Sequence, residues 1–110
     1  MANYRIFKTR EFDDDFEKLE KFEKERVRKF LAQLSEKGGS VGKPLSVPFF
    51  REKKFSGNRL YFLVYENFFV ILAVAISDKK AQQATINAIL SKLAAYQSYV
   101  METLKKTGTI

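Results

Sequence analysis

The chain has 110 residues, 45% of them hydrophobic and eleven of them Phe, with a net charge of +7. That suits one domain with a single packed core and argues against disorder. It holds no cysteine and no histidine, which excludes disulfides and thiolate metal sites and removes the commonest general base.

The N-terminus, "MANYRIFKTREF", lacks the apolar run of a signal peptide. The longest apolar run, "FFVILAVAI", is far shorter than the roughly 20 residues a membrane-crossing helix needs. A soluble, cytoplasmic protein is expected, with no membrane partner. Residues 1–36 balance nine basic against nine acidic residues, whereas 37–110 hold eleven basic and four acidic. The whole positive excess therefore falls in the second part, the electrostatic footprint of a protein that meets a polyanion.

In chain order, "NYRIFKT" alternates as a strand does. From Glu11 the period changes: Phe12, Phe16 and Leu19 fall on one helix face, with Thr9 as N-cap and Glu11, Asp13, Asp14 and Asp15 in the first turn. A second stripe, Val27, Phe30, Leu31 and Leu34, runs to a stop at Gly38 and Gly39. Glu23 and Arg26 would fall on the apolar face of one continuous helix, so two helices breaking near residues 20–23 are expected. Residues 42–48, with two prolines, read as a loop. "FFREKKF" reads as a strand, "SGN" as a turn, and "RLYFLVY" as a strand with Leu60, Phe62 and Val64 on one face and Arg59, Tyr61, Leu63 and Tyr65 on the other. "EN" gives a tight hairpin into "FFVILAVAIS", apolar throughout as a central strand covered on both faces is. Ile86, Ile89, Leu90, Leu93, Val100 and Met101 then predict one long C-terminal helix.

The fold expected is α+β, in the order β-α-α-β-β-β-α. It has a small twisted, mainly antiparallel sheet, an N-terminal helical hairpin and a C-terminal helix. One domain spans 1–104, and 105–110 form a frayed tail. Helices cover one face of the sheet and the basic residues occupy the other. Val100, Met101 and Leu104 continue the last apolar stripe beyond what a small core needs, which predicts a docking surface for another copy or a partner protein.

Five features are candidates for chemistry. Arg51, Lys53 and Lys54 are either edge-strand charge that blocks aggregation or phosphate contacts. On a strand Arg51 and Lys53 share one face and Lys54 takes the other. Arg59 opens an apolar strand and is either a phosphate-gripping guanidinium or the partner of Glu66 or Glu52. Lys79 and Lys80 end the buried strand and are either a solvated turn or rim residues of a site. Tyr61 and Tyr65 at strand spacing read as half-buried packing. Asp13, Asp14 and Asp15 fan around a helix and cannot converge on one metal ion.

The order and spacing of "YRIFKTREFDDDFEKL", "REKKFSGNRLYFLVY" and "FFVILAVAISDKKAQQ" resemble the RelE/ParE toxin superfamily of toxin–antitoxin systems, over about residues 3–95, with HigB-type toxins the nearest subgroup. The resemblance implies a metal-independent endoribonuclease that needs no cofactor and cuts messenger RNA on the ribosome. It implies a cognate antitoxin protein as partner, in a toxin–antitoxin hetero-oligomer or a homodimer. It assigns catalytic roles to Arg59, Lys54 and Lys80, and substrate contacts to Arg51, Lys53, Lys79 and Gln83, with Gln82 the alternative to Gln83. Lys53 or Lys54, crowded by cations, is the implied base. The histidine that some members use is absent, and Thr85 to Ala88 supply no tyrosine where others have one. A gyrase-binding, ParE-like activity without cleavage is the alternative the same fold implies, as is a degenerate member that only binds a partner.

Overall fold

The structure, a computed structural model, describes residues 3–38 and 41–108. In chain order it contains β1 (Arg5–Lys8), α1 (Arg10–Glu17), α2 (Lys21–Lys37), β2 (Lys43–Leu45), β3 (Val47–Phe55), β4 (Asn58–Tyr65), β5 (Val70–Asp78), α3 (Gln82–Leu90) and α4 (Leu93–Lys106). The strands form one five-stranded sheet in the order β1-β5-β4-β3-β2. β2 to β5 run antiparallel to their neighbours, and β1 joins the edge parallel to β5. The fold is α+β, as expected. Among the described residues no helix is long and apolar enough to cross a membrane.

The start of α1 is tied down twice by one side chain. Thr9 Oγ1 accepts from Phe12 N at 3.0 Å, capping the helix, and donates to Val74 O at 2.8 Å. α1 ends at Glu17, and α2 begins after Glu20, whose N–H donates to Glu23 Oε1 at 3.1 Å. The polar residues that argued for a break thus serve it: Glu23 caps α2, its Oε2 accepts from Asn58 Nδ2 at 2.9 Å, and Arg26 Nη1 donates to Ser56 Oγ at 2.9 Å. Both fasten α2 to the β3–β4 turn. α2 ends at Gly38 with φ +66°. Gly39, the second residue of the expected stop, lies outside the described residues.

Several expectations need correction. Residues 42–48 are not all loop: β2 pairs with β3 along the sheet edge, where the missing N–H of Pro44 costs no ladder bond. The β4–β5 connection is a short 3-10 turn, Glu66–Phe68, followed by Phe69 at φ +52°, so β5 starts at Val70. The C-terminal helix is two helices. Without Gly or Pro, the break rests on Lys92 N bonding Ile89 O at 3.0 Å and Ser91 Oγ bonding Ala88 O at 2.7 Å. α4 continues to Lys106, and of the expected tail Thr109 and Ile110 lie outside the described residues.

The largest correction concerns the faces. Helices cover both. α1 and α2 pack Phe12, Val27, Phe30, Leu31 and Leu34 on Leu60, Phe62, Val64, Ile71 and Ala73. α3 and α4 pack Ile86, Ile89, Val100 and Leu104 on Phe50, Tyr61, Leu63, Leu72 and Val74. Val100 and Leu104 are therefore spent on the chain's own core rather than offered to a partner. Burying each contributes about 1.5–3 kcal/mol. Withholding both would forfeit several kcal/mol in a domain whose net stability is about 5–15 kcal/mol.

Two substitutions test this packing. A Cβ on Gly38 would lie 2.2 Å from Tyr4 Cε1, on a backbone that L side chains rarely adopt. Gly38→Ala is expected to cost about 2 kcal/mol or more in urea unfolding. The Tyr65 hydroxyl is buried without a partner among the described residues, and burial, with a smaller contribution from Tyr96, pushes its pKa up to about 12. The unfolded phenol ionises near 10.0. Its contribution is thus whole below that pH and lost as pH rises toward about 12. Tyr65→Phe is expected to flatten that alkaline decline and to stabilise by about 1 kcal/mol at neutral pH, because an unsatisfied hydroxyl leaves the core.

Candidate functional site

The β3–β4 hairpin turns through Ser56 and Gly57, both at positive φ (47° and 79°), the backbone that suits a two-residue turn between twisted strands. The turn fixes the register: Phe55 faces Asn58, Lys54 faces Arg59 and Glu52 faces Tyr61. Cross-strand partners share a face, so Glu52, Lys54, Arg59 and Tyr61 all project toward the α3 side. β2 adds Lys43, which pairs with Glu52.

β5 completes the set through a bulge. Tyr61 pairs with Ala75 and Phe62 with Ala73, leaving Val74 as the extra residue. A bulge reverses the alternation beyond it. Ser77, opposite Arg59, thereby reaches the face of Tyr61, and their hydroxyls share a hydrogen bond at 2.9 Å. Two rows result: Lys43, Glu52, Tyr61, and beside it Lys54, Arg59, Ser77.

Helix α3 begins over these rows. Gln82 Nε2 donates to Glu52 Oε1 at 3.3 Å. Glu52 is only 3% exposed and Arg59 only 8%. No described carboxylate forms an ion pair with Arg59. Its Nη1 donates to Gly57 O at 3.2 Å, and its buried Nε has no acceptor among the described residues. Burial pushes the Tyr61 phenol above its ordinary value; Glu52 and Asp78 add to that, while the Ser77 bond and Arg59 oppose it. A surface cavity of about 400 Å³ at the β2 side of the sheet, bordered by Gly42, Lys43, Glu52, Lys53 and Lys54, opens beside the rows. Among the described residues there is no cluster of metal-ligating side chains.

The other sequence-predicted residues divide. Arg51 and Lys53 turn to the α2 face, where Arg51 Nη1 donates to Gly42 O at 3.0 Å and Lys53 Nζ lies 5.6 Å from the centroid of the Phe30 ring. Lys79 and Lys80 are exposed in the turn between β5 and α3, closed by Asp78 Oδ1 accepting from Ala81 N at 2.9 Å. That turn follows directly on the strand end carrying Ser77. Gln83 bonds Asn87 along its own helix at 3.0 Å, so it is Gln82 that meets Glu52.

Glu52 and Lys43 escaped the sequence as site residues. Glu52 stands between cations and reads as their neutraliser, and Lys43 sits in the stretch taken for a loop. Once "SG" is taken as a two-residue turn, the signal is present: Glu52 must then share a face with Lys54 and Arg59.

No protein-family model matches the sequence, and no curated protein sequence does. Solved structures match in fold. A mutant of the E. coli toxin RelE in the free state superposes with a TM-score of 0.69 at 20% identity, covering 83% of this chain and 98% of that one. A RelE mutant in complex with a peptide of the antitoxin RelB gives 0.64 at 22% identity, covering 80% and 95%. The archaeal RelE–RelB complex from Pyrococcus horikoshii gives 0.58 at 15%, covering 71% and 97%. The chain has the RelE fold.

A site built against stability leaves a trace. Arg59 is buried with an unused donor and a lysine directly opposite, and like charges across a strand pair destabilise it. Arg59→Leu is expected to unfold at higher urea concentration than the parent, by the equivalent of about 1 kcal/mol.

Proposed function

We propose that the chain is the toxin of a type II toxin–antitoxin pair, a HigB-type endoribonuclease that cuts messenger RNA presented by the ribosome. The observation that carries this reading is the set Glu52, Lys54 and Arg59 on one face of the β3–β4 hairpin, beside an open cavity. The fold likeness to RelE, several of whose solved structures are toxin–antitoxin complexes, supports the toxin assignment and a cognate antitoxin as partner.

The chemistry these groups can supply is attack by a 2′-hydroxyl on its own 3′-phosphate. An ionised carboxylate only accepts, and a lysine ammonium only donates. We therefore assign the base role to Glu52, in place of the Lys53 or Lys54 that the resemblance implies. Gln82 holds Oε1, and no described residue donates to Oε2. Glu52 takes the hydroxyl proton as the 2′-oxygen bonds to phosphorus. The bond from phosphorus to the 5′-oxygen breaks, leaving a 2′,3′-cyclic phosphate and a 5′-hydroxyl end. Arg59, its Nε uncommitted, donates to the phosphoryl oxygens as charge builds on them. Lys54 gives the leaving oxygen its proton. Lys80 adds positive charge from the strand end, and Lys79 and Gln83 contact flanking nucleotides.

Induction in cells with mapping of RNA ends, and cleavage of ribosome-bound messenger RNA by the purified chain, test the reading. Glu52→Gln and Arg59→Gln are each expected to lower cleavage by about 100-fold or more. Parent-level cutting by either variant would remove its residue from the mechanism. Growth arrest with intact RNA and lost supercoiling would turn the reading to gyrase binding.

A further inference from the structure

Lys53 and Lys54 are neighbours on β3 that face opposite sides of the sheet. Lys54 belongs to the rows described above. Lys53, which also reaches the edge of the first cavity, borders a second cleft of about 230 Å³ between α2 and the β3–β4 hairpin, rimmed by Arg26, Lys29 and Gln33 over an apolar floor that includes Phe30. No carboxylate lines this cleft, although residues 1–36 hold as many acids as bases. The nearby Glu23 is turned away from it, with Oε1 on Glu20 N and Oε2 on Asn58 Nδ2. The Arg26 guanidinium is held at the hairpin tip by Ser56, and Lys53 rests over an aromatic ring instead of pairing with an acid.

The acids gather elsewhere. The groove along β5 between α1 and α3 carries Glu11, Asp15 and Asp78 against a single lysine, Lys92. Between the two cationic surfaces lies the hairpin tip, where the Glu23 carboxylate is engaged by Asn58 and a Cβ on Gly57 would meet nothing within 4 Å. Cations thus flank the turn on both sides, Lys54 on one face and Arg26, Lys29 and Lys53 on the other.

We propose that the α2–hairpin cleft is a second contact for single-stranded RNA, so that the strand passes around the hairpin tip with phosphates held on both faces. Cations on both sides of the turn bind a polyanion by releasing its counterions, and the apolar floor suits the face of a base. The choice of RNA as the polyanion rests on the proposed cleavage function. Arg26, Lys29 and Lys53 lie outside that chemistry.

The test reads binding without cleavage. A fluorescent single-stranded RNA with 2′-O-methyl sugars offers no 2′-hydroxyl to attack, so its anisotropy reports affinity whether or not the proposed mechanism holds. For the triple variant Arg26→Gln, Lys29→Gln, Lys53→Gln, the slope of log Kd against log KCl concentration is expected to become shallower by about 2 relative to the parent. Lys29→Gln alone, an exposed change, is expected to account for about 0.7 of that and guards against misfolding of the triple variant. An unchanged slope, or a parent that binds no RNA, overturns the proposal. So does loss of binding to poly-glutamate with the RNA slope unchanged, which would assign the cleft to an acidic protein.

Discussion

The two-residue turn at Ser56 and Gly57 is the constraint on which the site depends. Because Phe55 and Asn58 close it, every later pair on β3 and β4 is fixed. Had the turn been one residue longer, the pairing would have slipped and Glu52 would no longer face Tyr61. The turn is in turn held from α2, by Arg26 on Ser56 and Glu23 on Asn58. The helical hairpin is thus more than a cover for the sheet. It braces the loop whose geometry aligns a carboxylate, an ammonium and a guanidinium on one surface.

The bulge at Val74 is the second device, and it solves a conflict of alternation. β5 must bury Leu72 against α3 and α4 and Ile71 against α1 and α2. In strict alternation Ser77 would then face the first core and Ile76 the polar rows. One extra residue exchanges them: Ile76 packs with the first core, and Ser77 reaches Tyr61. Beyond β1 the edge of β5 is open, and its Ile76 N–H is taken by Asp15 Oδ2 at 3.0 Å. The acidic first helix therefore closes the sheet edge at the level of the bulge, which a reading of Asp15 as mere solvated charge does not reveal.

Local features were legible and global ones less so. Thr9 as cap, Gly38 as stop, the alternation of β4 and the antiparallel meander all follow from single residues or short spacings. β2 was hidden because Pro44 suppresses the strand pattern of its three residues, and an edge strand tolerates it. The α3–α4 break has no Gly or Pro to mark it. Ile89 and Val100, on either side of it, pack into the same core. The two-sided cover was readable from the unbroken apolar run in β5, but it conflicts with a sheet whose second face is left open for charge. The resolution is that charge occupies one end of the α3 face, while helices cover the remainder.

That division explains why so basic a chain can also be well packed. Arg59 and Glu52 are nearly inaccessible, yet neither has an ion-pair partner among the described residues. Burying unpaired charge costs several kcal/mol unless hydrogen bonds offset it, and here the bonds are few and long, to Gly57 O and from Gln82. The two cores, each closed by its own helical pair, supply the surplus that makes this tolerable. A guanidinium left with an unused donor beside a carboxylate with an unused oxygen is poor design for stability alone. The proposed function accounts for it, with a phosphate that arrives with its substrate as the missing partner.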